Sequence, residues 1–223
     1  NTILSVITHD LKGTIGNQLT ALSVLGSEEF RNEEERKLVF SRLANSARLS
    51  LELLENLSLW TNIQEEKIVH NPERGLINDV LEEAAGLFQE SFFNKELTFK
   101  LEIDNDIYCN FDRVMLKSVF KNLLGNAIKF TNRGGNIIAG IKNNNTRIEV
   151  YVKDNGIGMS SEESGSIKAG RIAKMKRGTE NEKGSGLGYV IIKKFLEYHD
   201  SGINIDSKQG EGTTVKISFN CGM

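Results

Sequence analysis

A chain of 223 residues has room for one large domain or two modest ones. Hydrophobic residues at 39% and charged residues at 26% describe a globular protein, and a net charge of -2 lacks the basic excess of a nucleic-acid binder. Two cysteines, Cys109 and Cys221, have neither metal-ligand spacing nor a disulfide framework, which fits a reducing, cytoplasmic setting. No apolar run reaches the ~18 residues a membrane span needs, so no direct membrane contact is expected within the chain. It begins Asn1-Thr2-Ile3, already in an amphipathic pattern, and is read as a fragment whose sensing or membrane-anchoring segments lie upstream.

The first third predicts two long helices. Leu4, Ile7, Leu11, Leu22 and Leu25 fall on alternating spacings of three and four, with Thr14, Ile15 and Gln18 between. After a polar break at Gly26-Ser27-Glu28-Glu29, a second stripe runs Phe40, Leu43, Ala47, Ser50/Leu51, Leu54, Leu57. Two helices cannot enclose a core alone. The hairpin therefore calls for a second copy and a dimeric four-helix bundle, the alternative being packing on the rest of its own chain. Pro72, the only proline, marks a domain boundary, giving units 1–68 and 72–223.

Beyond it the pattern is mixed. A helix is predicted over 76–93, a strand over 97–103, and a helix from an Asp112 N-cap to Lys129. Strands follow at 136–142 and 147–154. Residues 160–183, rich in glycine, serine and lysine, read as a mobile loop. A helix over 187–198 and strands near 202–207 and 213–219 complete an α/β layer of helices on a mixed sheet.

Four segments of this second domain carry chemistry. In Lys121-Asn122-Leu123-Leu124-Gly125-Asn126-Ala127-Ile128-Lys129-Phe130-Thr131, the polar Asn122, Asn126 and Lys129 share one helix face and the apolar residues the other. An amide oxygen is a hard ligand suited to Mg²⁺, and a lysine can meet phosphate. Alone, this reads more readily as a solvated polar face. Asp154-Asn155-Gly156-Ile157-Gly158-Met159 follows a strand; its glycines admit a flat ligand, and its carboxylate can accept from an exocyclic amine such as that of adenine. An ordinary turn is the plain alternative. Gly184-Ser185-Gly186-Leu187-Gly188-Tyr189 opens a helix, where backbone amides bind phosphate well. Its G-x-G-x-G spacing is not a dinucleotide fingerprint, and the chain has no G-x-x-x-x-G-K-[ST] loop. Gly210-Glu211-Gly212-Thr213-Thr214 precedes the last strand.

In this order the segments resemble the N, G1, G2 and G3 boxes of the Bergerat-type ATPase fold, shared by histidine kinases, DNA gyrase, MutL-type repair proteins and related chaperones. The resemblance implies an α/β sandwich binding Mg-ATP. Asn126 would be the main Mg²⁺ ligand, supported by Asn122, with Lys129 near phosphate and Asp154 reading adenine. Gly156 and Gly158 would shape the pocket, and Gly184, Gly186 and Gly188 would lie under the phosphates. Residues 160–183 would be the ATP lid, and Thr213 would back Asp154 through water.

Gyrase and MutL-type proteins carry a water-activating glutamate where this chain has Asn122, so hydrolysis is poorly supported and another phosphoryl acceptor is expected. Ser5-Val6-Ile7-Thr8-His9-Asp10-Leu11-Lys12 resembles the H-box of sensor histidine kinases. His9 lies about 200° around the helix from Ile7, away from the apolar stripe. Asp10 would fix its tautomer. Asn56 to Gln64, with Trp60, resembles the end of the second bundle helix in such kinases. The likeness implies ATP-dependent autophosphorylation of His9 and transfer to an aspartate of a response-regulator receiver domain. An ATP-binding dimeric scaffold without transfer, and a stand-alone ATPase, are the other readings. The H-box departs from the family at Gly13 and Thr14, where a Thr or Asn and a proline are usual. Weak or absent phosphatase activity is the expectation, with Gly13 and Gly16 as flexible points.

Overall fold

The structure is a computed structural model. It describes residues 2–26, 32–65, 67–103, 105–143, 147–168, 176–180, 182 and 187–219, without the side chains of 2–7, 9, 10, 52, 168 and 187. The chain forms two compact units, 1–68 and 69–223.

The first unit is a pair of helices, α1 (Thr2–Gly26) and α2 (Glu33–Gln64). Asn32 caps α2 by accepting from the Glu35 amide at 2.8 Å, and Glu33, Glu34 and Glu35 complement the positive helix start. The helices meet along a partly polar seam. Gln18 Nε2 donates to Ser50 Oγ at 2.8 Å, Ser50 Oγ to Thr14 Oγ1 at 2.9 Å, and Ser46 Oγ to the Thr14 carbonyl at 3.1 Å. Thr14 is thus a helix–helix contact, and α1 continues unbroken through Gly13 and Gly16. The anticipated stripe on α2 divides in two. Leu43, Ser50 and Leu57 are covered, whereas Phe40, Leu51 and Leu54 stay 50%, 59% and 48% exposed. Ile15, Leu19 and Leu22 form a matching exposed stripe on α1.

The second unit is a layer of helices on a five-stranded sheet, plus a small ribbon. The ribbon pairs β1 (Glu73–Leu76) antiparallel with β3 (Tyr108–Phe111), two strands the sequence pattern did not signal because each has only four residues. The sheet contains β2 (Thr98–Ile103), β4 (Asn136–Asn143), β5 (Ile148–Asp154), β6 (Gly202–Lys208) and β7 (Gly212–Phe219). Its order is β2-β4-β5-β7-β6, with β2 and β4 parallel and the remaining pairs antiparallel. Helices α3 (Ile77–Gly86), α5 (Arg113–Phe130) and α7 (Leu187–Tyr198) pack side by side, α5 and α7 against the sheet. Ile77, Leu81, Phe120, Leu124, Ile137 and Ile191 are wholly buried between them.

Two expectations need correction. The helix predicted over 76–93 is broken: α3 stops at Gly86 and α4 (Gln89–Asn94) starts afresh. The break lets the Phe88 ring lie over the bare Cα of Gly125 and Phe92 stack on Phe99 with centroids 4.5 Å apart. The loop predicted over 160–183 contains α6 (Ser161–Lys168). Its start is a capping box: Ser160 N donates to Glu163 Oε2 at 2.8 Å and Glu163 N to Ser160 Oγ at 3.2 Å.

Candidate nucleotide site

The sheet register brings two of the sequence segments together. Asp154 ends β5 and pairs with Thr213 at the start of β7, so the turns 154–158 and 208–212 lie side by side. Asp154 is buried, and its Oδ1 accepts from the amides of Gly156 at 2.9 Å and Thr213 at 3.2 Å. Burial raises its carboxyl above the ordinary aspartate range, the two amides opposing but not cancelling the shift. Among the described residues no hydrogen bond reaches Oδ2, so one carboxylate oxygen is held by the fold and the other is open to a ligand. Thr213 reaches Asp154 through its main chain, its hydroxyl being 2.8 Å from Ser207 Oγ.

The end of α5 closes on the same turn. The Ile157 amide donates to the Phe130 carbonyl at 3.0 Å, and a Cβ on Gly156 would lie 2.1 Å from that oxygen. No other residue fits there. Gly158 has a φ of +60° and passes against the Lys208 carbonyl, while the Gly210 amide donates to Ile157 O at 2.8 Å.

Helix α5 begins at its expected cap, the Met115 amide donating to Asp112 Oδ1 at 3.0 Å. It buries Leu123, Leu124, Ala127 and Ile128, which leaves Asn122, Asn126 and Lys129 on the outer face. Asn122 turns its NH₂ back to the Ser118 carbonyl at 2.9 Å, so its Oδ1 points at Gly188, where a Cβ would sit 2.5 Å away. Asn126 is exposed one turn further on; Lys129 is half-buried, its Nζ 5.0 Å from the centroid of the Phe130 ring. Gly188 thus faces α5 from the first turn of α7, whereas Gly184 and Gly186 lie outside the described residues. Of the basic residues in 160–183, Lys176 pairs with Glu163 at 3.0 Å.

Asp154, Gly156, Gly158 and Thr213 are therefore joined with the end of α5 around one corner of the sheet, and Asn122 with Gly188 on its helical side. His9 and Asp10 belong to α1, and their side chains lie outside the described residues. Sequence reasoning passed over Lys95, Thr179 and Glu182, which gather at the carboxyl end of α5; Lys95 looks in sequence like any solvated lysine.

Residues 111–222 match the family described as histidine kinase-, DNA gyrase B-, and HSP90-like ATPase. The chain belongs to this family. The match covers the N-box helix, both turns beside Asp154, and α7. The adaptive-response sensory kinase SasA of Synechocystis is 28% identical over 97% of this chain, and the chain spans 58% of that relative's length. The Acinetobacter baumannii histidine kinase AdeS has the same fold, with TM-score 0.72 and 17% identity over 96% of this chain and 98% of its own. So does the histidine kinase ThkA, solved in complex with the response regulator protein TrrA, at TM-score 0.70 and 18% identity over 100% of this chain and 62% of that one. The α/β unit is thus an ATPase domain of the type shared by histidine kinases, DNA gyrase B and HSP90. Among the described residues no helix is long and apolar enough to cross a membrane.

Proposed function

We propose that the chain is the kinase core of a sensor histidine kinase, which binds Mg-ATP in its α/β unit and phosphorylates His9 on its helical hairpin. The observation that carries this reading is the pairing at Asp154: a buried carboxylate with one oxygen fixed by two amides and the other open, beside a glycine turn no side chain could occupy. Such a group can accept from the adenine amino group while the turn lies along the ring. Asn122, with its amide NH₂ tied back and its oxygen turned toward Gly188, and exposed Asn126 offer neutral hard oxygens that fit Mg²⁺; Asn126 would be the principal ligand. When bound, the ion supplies neutralisation of phosphate charge and orientation of the transferred group. Lys129 adds a positive charge at the phosphate end, and the glycines at 184, 186 and 188 allow main-chain amides to approach.

In the transfer step a ring nitrogen of His9 attacks the γ-phosphorus as the bond to the ADP oxygen breaks. Asp10 accepts the proton of the other ring nitrogen and so sets the tautomer. A receiver-domain aspartate then takes the phosphoryl group from His9, a partner also suggested by the ThkA complex. The exposed stripes Ile15-Leu19-Leu22 and Phe40-Leu51-Leu54 support a second copy of the chain as the hairpin's partner in a four-helix bundle. With Gly13 in the H-box, phosphatase activity toward the regulator is weak or absent; rapid kinase-dependent dephosphorylation of a cognate regulator would refute that point.

The test is incubation with γ-labelled ATP and Mg²⁺. Acid-labile label on the wild-type chain, lost in both His9→Gln and Asn126→Ala, is the expected result. Label retained in His9→Gln sinks the acceptor, and ATP binding without label favours a signalling scaffold.

A further inference from the structure

Lys95 follows α4 and is 4% exposed, an unusual place for an ammonium group unless it is fully engaged. Its Nζ donates to the carbonyls of Ile128 at 2.8 Å and Lys129 at 3.3 Å, and to Glu182 Oε1 at 2.9 Å. The first two are last-turn carbonyls of α5, where a helix lacks its own donors and favours positive charge. Glu182 comes from the chain approaching the glycine run, 87 residues away in sequence.

Glu182 is itself tied into a closed turn. The Gly178 amide donates to its carbonyl at 2.8 Å and the Glu180 amide to its Oε2 at 2.8 Å. Between them Thr179 is fastened to the same helix end: its amide donates to Lys129 O at 3.0 Å and its hydroxyl to Thr131 O at 2.8 Å. Arg133 adds an outer brace, reaching Glu96 at 2.8 Å and Glu180 at 3.7 Å. Burial alone would raise the Glu182 carboxyl; the Lys95 hydrogen bond and the amides of Glu182 and Glu180 outweigh it and leave it below the usual glutamate range.

These contacts fix one end of a short span. Glu182 precedes Gly184 by two residues, and Gly188, at the other end of the run, abuts Asn122. Glu182, ahead of the run, and Gly188, its last glycine, thus both meet α5, the helix that carries Asn122, Asn126 and Lys129. We propose that Lys95 and Glu182 are positioning residues for the triphosphate: their ion pair holds the chain entering the glycine run against the end of α5. The adenine end, organised by Asp154 on β5 and β7, does not depend on them. This rests on the nucleotide-site reading above.

The experiment compares adenosine and Mg-ATP binding by calorimetry for the whole chain, wild type, Glu182→Ala, Glu182→Gln and Lys95→Met, with amide exchange of Thr179 and Glu180 in nucleotide-free protein. Glu182 is one-third exposed, so its variants keep the fold even where Lys95→Met does not. Losing a charge-assisted hydrogen bond at the phosphate end should weaken Mg-ATP about tenfold in Glu182→Ala, leave adenosine within about twofold, and be largely restored in Glu182→Gln. Exchange of both amides should quicken about tenfold or more. Equal losses for adenosine and ATP, or none for either, would overturn the proposal, as would unchanged exchange whatever the nucleotide does. A wild-type chain that binds neither ligand overturns the nucleotide site itself and this role with it.

Discussion

The two units solve the problem of burying apolar surface in opposite ways. The α/β unit closes its own core: Ile77, Phe120, Ile137 and Ile191 are all but inaccessible, and its site-bearing turns are fixed by hydrogen bonds from three directions. The hairpin does not. Its seam is partly polar, built on Thr14, Ser46 and Ser50, and Leu19, Leu22, Leu51 and Leu54 remain about half exposed or more. One unit presents a finished frame around its candidate site. The other leaves the apolar surface that the proposed second copy would cover.

That contrast can be broken at several points. The largest effect belongs to Asp154→Asn. Asparagine can still take both amides on its oxygen, but it puts an NH₂ where adenine's own amino group must be accepted. Adenosine binding should fall ~100-fold by calorimetry, in line with a mismatched buried polar contact. Because the folded Asp154 carboxyl titrates above its unfolded value, the folded state holds the extra proton between those two values. Stability therefore falls as pH rises through that window, and the ionised group is a net cost at neutral pH. Asp154→Asn should thus be no less stable than wild type in thermal melts at pH 7, and a clear loss of stability would contradict this account of the shift.

Next comes the core. Phe120→Ala, at a wholly buried position, should cost about 3–5 kcal/mol in denaturant unfolding of the α/β unit. In the hairpin, Leu51→Lys removes an exposed leucine and should leave the chain's helicity intact while shifting it from dimer to monomer in sedimentation. An unchanged oligomeric state would show that this stripe is not the one covered.

The smallest effect concerns His199. Its Nε2 accepts from the Asp112 amide at 3.0 Å, and its Nδ1 lies 2.7 Å from the Phe195 carbonyl, so both nitrogens serve the fold as a neutral ring. Burial lowers its titration, aided by neighbouring His70 and opposed by the Phe195 carbonyl and Asp112. The neutral ring contributes stability above the unfolded value of about 6.5, lost as pH falls through the lowered folded value. His199→Gln should flatten that acid-side decline; a decline equally steep in the variant would assign it to other groups.

What could be read from the sequence follows the same division. The α5 pattern was plain because apolar and polar residues alternate with helical period, and Asp112 is a good cap. The meeting of Asp154 with Thr213 could be expected only through family resemblance, since it depends on a strand register spanning 59 residues. Helix α6 had its capping box in view at Ser160 and Glu163, but glycine and lysine nearby masked it. Lys95 was illegible: a lone lysine after a short helix gives no sign that its partner lies at Glu182. In the hairpin, sequence period located the stripes but not which of them the two helices would use on each other, because Ser50 and Leu51 are neighbours on adjoining faces.

The central claim is that a nucleotide held by one unit phosphorylates a histidine of the other. It is tested most directly by locating the phosphoryl group chemically. After turnover with Mg-ATP, the chain is digested at neutral to basic pH and its peptides are sequenced by mass spectrometry. The account predicts one acid-labile, base-stable phosphoryl group, on the peptide containing His9. Phosphate on a peptide carrying His70 or His199, or on a serine or threonine, or released to solution with no labelled peptide, would contradict it.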